Sequence, residues 1–238
     1  MSNLSYVLLS RQAALTRELD NIANNISNAN TTGFRRDASI FTEFVNAIRG
    51  EPSVSQTRFG ARSIDTEQGE MIESGGTLDL AIEGKGFFGV ITPAGLRLTR
   101  AGAFLLNEEG VLTTRSGFPV AGDGGSPVNL PSGASDIAIS SDGSIAADGN
   151  VIGRITLLDA NETSLVREGD NLFRSTDEPS PMESGRVRQG YLEASNVDAV
   201  LELSRMIEVQ RAFELEQQIV NDDARRAQQA IETLSGAR

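Results

Sequence analysis

Seven-residue apolar repeats mark both ends of this chain, and no comparable pattern lies between them. Near the N-terminus, Leu8, Leu15 and Ile22 recur every seven residues, with Leu19 and Ile26 forming a second row beside them. Residues 4–28 contain neither Pro nor Gly, so the two rows predict one helix with a single apolar stripe. Near the C-terminus, Met206, Phe213, Val220, Ala227 and Leu234 keep strict heptad spacing. Leu203, Ala224 and Ile231 form the neighbouring row, interrupted by Gln210 and Gln217. A heptad sustained over five positions predicts a coiled coil across about 196–235, with Asn196 as its N-cap and Gly236 after its last apolar residue. Each stripe needs burial, and the simplest partner for one end is the other end. Leu8, Leu15, Leu19, Ile22, Ile26, Met206, Phe213, Val220 and Leu234 are therefore the candidate assembly-interface residues. A stripe left partly uncovered would bind another subunit; an ordinary intramolecular hairpin is the simpler alternative.

The middle of the chain has a different grammar. Twenty-one of the 24 glycines fall between Gly60 and Gly190. Short apolar runs at Leu78–Ile82, Phe87–Ile91, Ala103–Leu106, Val111–Thr113, Ile137–Ile139 and Val151–Leu158 read as strands. Pro93-Ala94-Gly95, Asn107-Glu108-Glu109-Gly110, Ser141-Asp142-Gly143 and Ala147-Asp148-Gly149-Asn150 separate them as turns. The expected architecture is α+β: a terminal helical coiled-coil domain from residues 1–30 with 196–235, and a central all-β domain over 66–190. Residues 31–65 connect the two, with a weak helical pattern at Ala38–Ile48 and an extended stretch from Gly50 to Ile64.

The composition narrows function. There is no cysteine and no histidine, which removes thiol chemistry and the commonest general base and metal ligand. A net charge of −12 without a basic patch argues against nucleic acid or anionic membrane as partners. No apolar run approaches membrane-spanning length, and residues 1–12 lack the pattern of a cleaved secretory signal. Gly84-Lys85-Gly86-Phe87-Phe88-Gly89 fits G-x-G-x-x-G, but a strand follows where a dinucleotide site needs a helix, so it reads as a glycine-rich hairpin turn. Asp142-Gly143 and Asp148-Gly149 lack the ligand spacing of a calcium loop and also read as turns. No catalytic, cofactor-binding or metal-ligating residue is assigned, and the chain is not expected to be an enzyme.

The Asn-rich run from Leu19 to Phe34, LDNIANNISNANTTGF, keeps its apolar stripe while Asn fills the other faces. It predicts a helix whose polar face is also buried. This run closely resembles the N-terminal signature of the flagellar rod and hook axial proteins. Leu78–Phe88, Leu98–Phe104 with Gly110-Val111-Leu112 and Gly117–Val120, and Gln189–Val197 resemble further stretches of that family, extending the likeness through nearly the whole chain. Ile152–Ile155 and Arg167–Arg174 are most similar to its proximal-rod member. Only 35 residues separate Gly33 from Gly69, which leaves little room for the insertion of the distal-rod type. The resemblance implies a structural subunit of the flagellar basal-body rod, periplasmic in position, exported by the flagellar type III apparatus without a cleaved signal. It implies other copies of the chain and other rod proteins as partners, with no cofactor. A distal-rod or hook-type protein is the alternative within the family; a secreted β-domain enzyme or a coiled-coil adaptor are the alternatives outside it.

Overall fold

The structure, a computed structural model, describes residues 3–46, 54–131, 133–134, 136–182 and 185–235, with side chains described at all of these but 3–7, 39–46, 54–62, 227, 230, 231, 234 and 235. In chain order the elements are α1 (Asn3–Ser27), β1 (Asp37–Asn46), β2 (Val54–Ile64), β3 (Met71–Glu73), β4 (Leu80–Glu83), β5 (Phe87–Thr92) and β6 (Gly95–Thr99). There follow β7 (Leu105–Leu106), β8 (Leu112–Thr113), β9 (Ile137–Ile139), β10 (Ser144–Ala147), β11 (Asn150–Arg154) and β12 (Leu157–Asp159). The last are β13 (Leu165–Arg167), β14 (Phe173–Ser175), β15 (Ser180–Pro181), β16 (Arg186–Gln189), β17 (Tyr191–Glu193) and α2 (Ala199–Ser235). The class is α+β, with a helix at each end and a β-rich middle.

The chain forms two compact units: residues 1–27, 37–63 and 198–238 make the first, and 28–36 with 64–197 the second. The first holds α1, α2 and the two-stranded sheet β1–β2. The weak helical pattern at Ala38–Ile48 is overturned here, because residues 37–46 are strand; 47 and 48 lie outside the described residues. Ile40-Phe41-Thr42-Glu43-Phe44-Val45 is β-branched and aromatic, and with a partner strand available that preference outweighs a marginal helical period. α2 begins two residues later than Asn196 would place it. The Asp198 carboxylate accepts from the N–H groups of Val200 and Leu201 at 2.9 and 3.0 Å and is the N-cap. Asn196 instead donates to the carbonyls of Asp65 and Glu67 and accepts from the N–H of Arg36, all within the second unit.

In the second unit a six-stranded sheet, β13-β14-β6-β5-β12-β15, accompanies a three-stranded sheet, β11-β10-β9, and the pairs β16–β4, β17–β3 and β7–β8. The four turn signals fall where the sequence puts them. Asp148 and Gly149, at φ 48° and 83°, form the two-residue loop between paired Ala147 and Asn150, the left-handed geometry that suits a right-twisted hairpin. Val151–Leu158 is not one strand: it divides into β11 and β12, which lie in different sheets. Nor is Gly84–Gly89 a hairpin, since its glycines turn the chain from β4, paired with β16, into β5 of the larger sheet. Two apolar clusters fill the unit: one contains Leu80, Ile82, Phe88, Phe104, Ile145 and Val187, the other Phe87, Leu98, Leu158 and Phe173.

Candidate assembly surface

Within the first unit α1 and α2 run antiparallel, as two cross-links show. Arg11 meets Glu216, and the Asn25 amide donates to the Glu202 carboxylate at 3.3 Å. The seam of α2 has two heptad rows. Met206, Phe213 and Val220 form one, half-buried; Glu202, Val209, Glu216 and Asp223 form the other, with the first three buried. The row Leu203, Gln210, Gln217 and Ala224 is exposed, so the neighbouring row of the sequence reading is corrected to the one on the opposite side of Met206. Three of its four members are acidic, and counting apolar residues alone misses it.

On α1, Ala14, Asn21, Ile22 and Asn25 are buried, while Leu8, Leu15, Leu19 and Ile26 are half-buried. Leu234 lies in α2, but its side chain is outside those described. Of the described candidates Ile22 is buried and the others are half-buried, and the run rich in Asn does bury part of its polar face. Asn25 is fixed on three sides: its amide N–H group donates to the carbonyl of Asp37 at 2.9 Å and to Glu202, and its oxygen accepts from the N–H of Asp37 at 2.9 Å. A buried amide with specified partners fixes helix register more firmly than it adds stability.

The seam's carboxylates are electrostatically costly. Burial pushes Glu18 above the usual carboxylate range; Arg205 opposes the shift and Glu202 adds to it. Burial likewise raises Glu216, against the attraction of Arg11. Arg11 is more than half exposed, and neither Glu216 oxygen has a well-aligned hydrogen bond among the described residues, which explains why desolvation prevails.

A second apolar row on α2 faces away from the seam. Leu203, Ile207, Leu215 and Ile219 are exposed by 52, 43, 60 and 50%, and Val200 and Leu201 extend the row toward the helix start. At 3.6 residues per turn these positions centre on the side opposite Val209. Arg211 interrupts the row between Ile207 and Leu215; solitary exposed leucines are ordinary, but several large apolar residues exposed along one helix make a candidate interaction surface.

A helix pair formed from the two ends of a chain whose middle is β-rich is the arrangement that the resemblance to the flagellar rod and hook axial proteins implies. Three family models match in order along the chain: Flagella basal body rod protein over residues 6–35, Flagellar hook protein FlgE/F/G D1 domain over 81–147, and Flagellar basal body rod FlgEFG protein C-terminal over 188–233. The flagellar basal-body rod protein FlgF of Caulobacter vibrioides is 40% identical over 98% of each chain, and that of Rhizobium meliloti 37% identical over the same share. The rod protein FlgG of Agrobacterium fabrum is 37% identical over 85% of this chain and 88% of its own length. The chain belongs to the flagellar basal-body rod protein family and is most like FlgF. It is a structural rod subunit of the bacterial flagellum.

Proposed function

We propose that this subunit occupies the proximal part of the rod, and that it self-assembles there with other copies and with other rod proteins into the periplasm-crossing shaft. The nearly full-length likeness to FlgF supports the position. The outward row Leu203, Ile207, Leu215 and Ile219 supports the assembly, because a finished monomer has no use for it. In the assembled rod the helix pair enters a coiled-coil core. Leu8, Leu15, Leu19, Ile22, Ile26, Met206, Phe213 and Val220 act there by holding α1 and α2 as one element, with Leu234 continuing the heptad. The subunit reaches the rod through the flagellar type III export apparatus, and it works as a structural element without catalysis.

The test is complementation of a strain lacking this chain. Wild-type protein is expected in purified basal bodies and restores swimming, whereas Leu215→Asp with Ile219→Asp is exported and absent from them. Basal bodies that incorporate the double variant at wild-type levels would overturn the assembly reading.

A further inference from the structure

The second compact unit is not a continuous stretch of chain. Residues 28–36, which follow α1 in sequence, belong to it, and are separated from its remainder by β1 and β2. Groups from distant parts of the chain grip this short segment. The Gly33 N–H donates to the carbonyl of Glu193 at 2.7 Å, and the Arg36 N–H to the Asn196 side chain, 160 residues away, at 2.7 Å. The Thr32 carbonyl accepts from Asn171 at 2.9 Å, and that of Arg35 accepts from Arg167. The Arg167 guanidinium also lies over the rings of Phe34 and Phe173, 4.3 and 4.9 Å from their centres.

At the centre is a fully buried ionic cluster. Glu193 receives Arg35 at 2.5 Å on one oxygen and Arg100 at 3.0 Å on the other, and the Gly69 N–H donates to it at 3.1 Å. The Arg35 and Glu193 side chains have no exposure at all, and Arg100 has 3%. Two cations are thus buried on one carboxylate. Glu193 is the main counter-charge of both Arg35 and Arg100, with Asp65 a lesser attraction on Arg35. Two close approaches lock the same place. A Cβ on Gly33, which sits at φ 67°, would lie 2.3 Å from the backbone carbon of Arg100, and one on Gly69 would lie 2.1 Å from the Ala194 carbonyl oxygen.

The strands that finish the core come from the same end of the chain. β4 carries Leu80 and Ile82, and its ladder partner is β16; β3 pairs with β17. Strand β4, which carries Leu80 and Ile82 of the core, therefore lacks its ladder partner until residues 186–189 are available.

We propose that the β-rich unit closes late and from both ends at once: residues 31–36 and 186–197 complete it together, and Glu193 is the latch. Whichever end of the chain leads through a narrow channel, the unit cannot close until the trailing end has cleared. This rests on the proposed export route and supplies a reason why the chain passes unclosed. Closure by contacts so distant in sequence is also intrinsically slow, which widens the window for passage.

The experiment places the chain behind a translational arrest sequence and measures the pulling force as successive lengths leave the ribosome. The expected result is a folding peak for the β-rich unit only when Val197 has emerged, at a length where part of α2 and the arrest sequence still fill the tunnel. Gly33→Val, which blocks docking of the N-terminal segment, and Glu193→Gln each reduce that peak, while the surface change Glu178→Gln leaves it intact. A full-height wild-type peak with residues 186–197 still inside, or an unchanged peak in Gly33→Val, overturns the proposal. The wild-type length scan decides the matter even if both variants fail to fold. A failure of the export reading appears separately, as absence of the wild-type chain from basal bodies with the force trace unaltered.

Discussion

Replacing Glu193 by Gln preserves the shape of the side chain and removes the anion shared by two buried guanidinium groups. The Glu193 carboxylate receives Arg35 and the Gly69 N–H on one oxygen and Arg100 on the other. A glutamine keeps one acceptor oxygen and turns an NH2 group on whatever faces the second, so an N–H donor meets an N–H donor. The cluster's charge rises from one uncompensated cation to two, in a place where burial already lowers the Arg100 pKa to about 10 against the attraction of Glu193. Breaking a buried ion pair by removing one partner costs about 3–5 kcal/mol. For a unit of this size that is a drop in Tm of roughly 10–20 °C. Thermal and urea unfolding of the full chain measures it, with the urea m-value expected to stay unchanged because the same surface is exposed. Arg35→Met combined with Glu193→Gln should recover at least about 1 kcal/mol relative to the sum of the single changes, since it removes one of the stranded cations. A single-variant Tm within about 2 °C of wild type would show that the cluster is hydrated or relaxes cheaply, and would refute the reasoning.

Four further outcomes follow from the geometry. Asn25→Ala removes the side-chain hydrogen bonds to the N–H and carbonyl of Asp37 and should destabilise the helical unit by about 1–3 kcal/mol, read by helix-monitored urea unfolding. Asp198→Ala removes the cap of α2 and should cost about 1 kcal/mol in the same assay. The two units should respond oppositely to acid. The raised carboxyls Glu18 and Glu216 bind protons more readily in the folded helix pair than in the unfolded chain, so their contribution is fully present below the ordinary Glu pKa and is lost as pH rises through the folded values. Acidifying from neutral toward about pH 4.5 should raise the unfolding temperature of the helix pair, and Glu216→Gln should flatten that dependence. In the β-rich unit Ser144 and Arg154 hold Asp142 down at about 2, and Arg97 lowers Glu168, so this contribution is present above the ordinary carboxyl range and fades as pH falls through the folded values; circular dichroism against pH separates the two trends.

Local rules made much of the β-rich unit legible. Asp148-Gly149 and Ser141-Asp142-Gly143 declare their turns because few residues tolerate the backbone angles a tight hairpin needs. The helix rows Leu8, Leu15, Ile22 and Met206, Phe213, Val220 were visible because a seven-residue period needs no knowledge of the partner. What stayed hidden depends on contacts distant in sequence. β1 read as a weak helix because nothing near Ala38–Ile48 announces the pairing with β2. Asn196 had the right chemistry for a cap, yet Arg36, Asp65 and Glu67 claim it, and Asp198 takes the role two residues on. The Arg35–Glu193–Arg100 cluster has no local signature at all: an Arg after a turn and a Glu ending a short strand look like surface residues until the fold joins them.

The misplaced row on α2 is the most informative of these differences. An isolated amphipathic helix should hide its leucines and expose its acids. α2 does the reverse on two of its faces, burying Glu202 and Glu216 while exposing Leu203, Ile207, Leu215 and Ile219. Optimising the monomer alone would favour rotating α2 so that some of those leucines enter the seam and the carboxylates leave it. The rotation is opposed by Met206, Phe213 and Val220 on one side of the seam and by the Asn25–Glu202 hydrogen bond on the other. Together they hold α2 in a register that packs one face on α1 and leaves an apolar row exposed on the other, as the proposed two-partner role requires. The raised Glu18 and Glu216 are then part of what that register costs the monomer, and in the proposed assembly covering the outward row would supply the compensating apolar burial. Leu215→Ser with Ile219→Ser should therefore leave the monomer's unfolding midpoint within about 0.5 kcal/mol of wild type, as exposed positions do, while removing the subunit from basal bodies. If instead the pair of changes destabilised the isolated helix unit by several kcal/mol, the outward row would be serving the monomer's own core, and the two-partner account of α2 would fail.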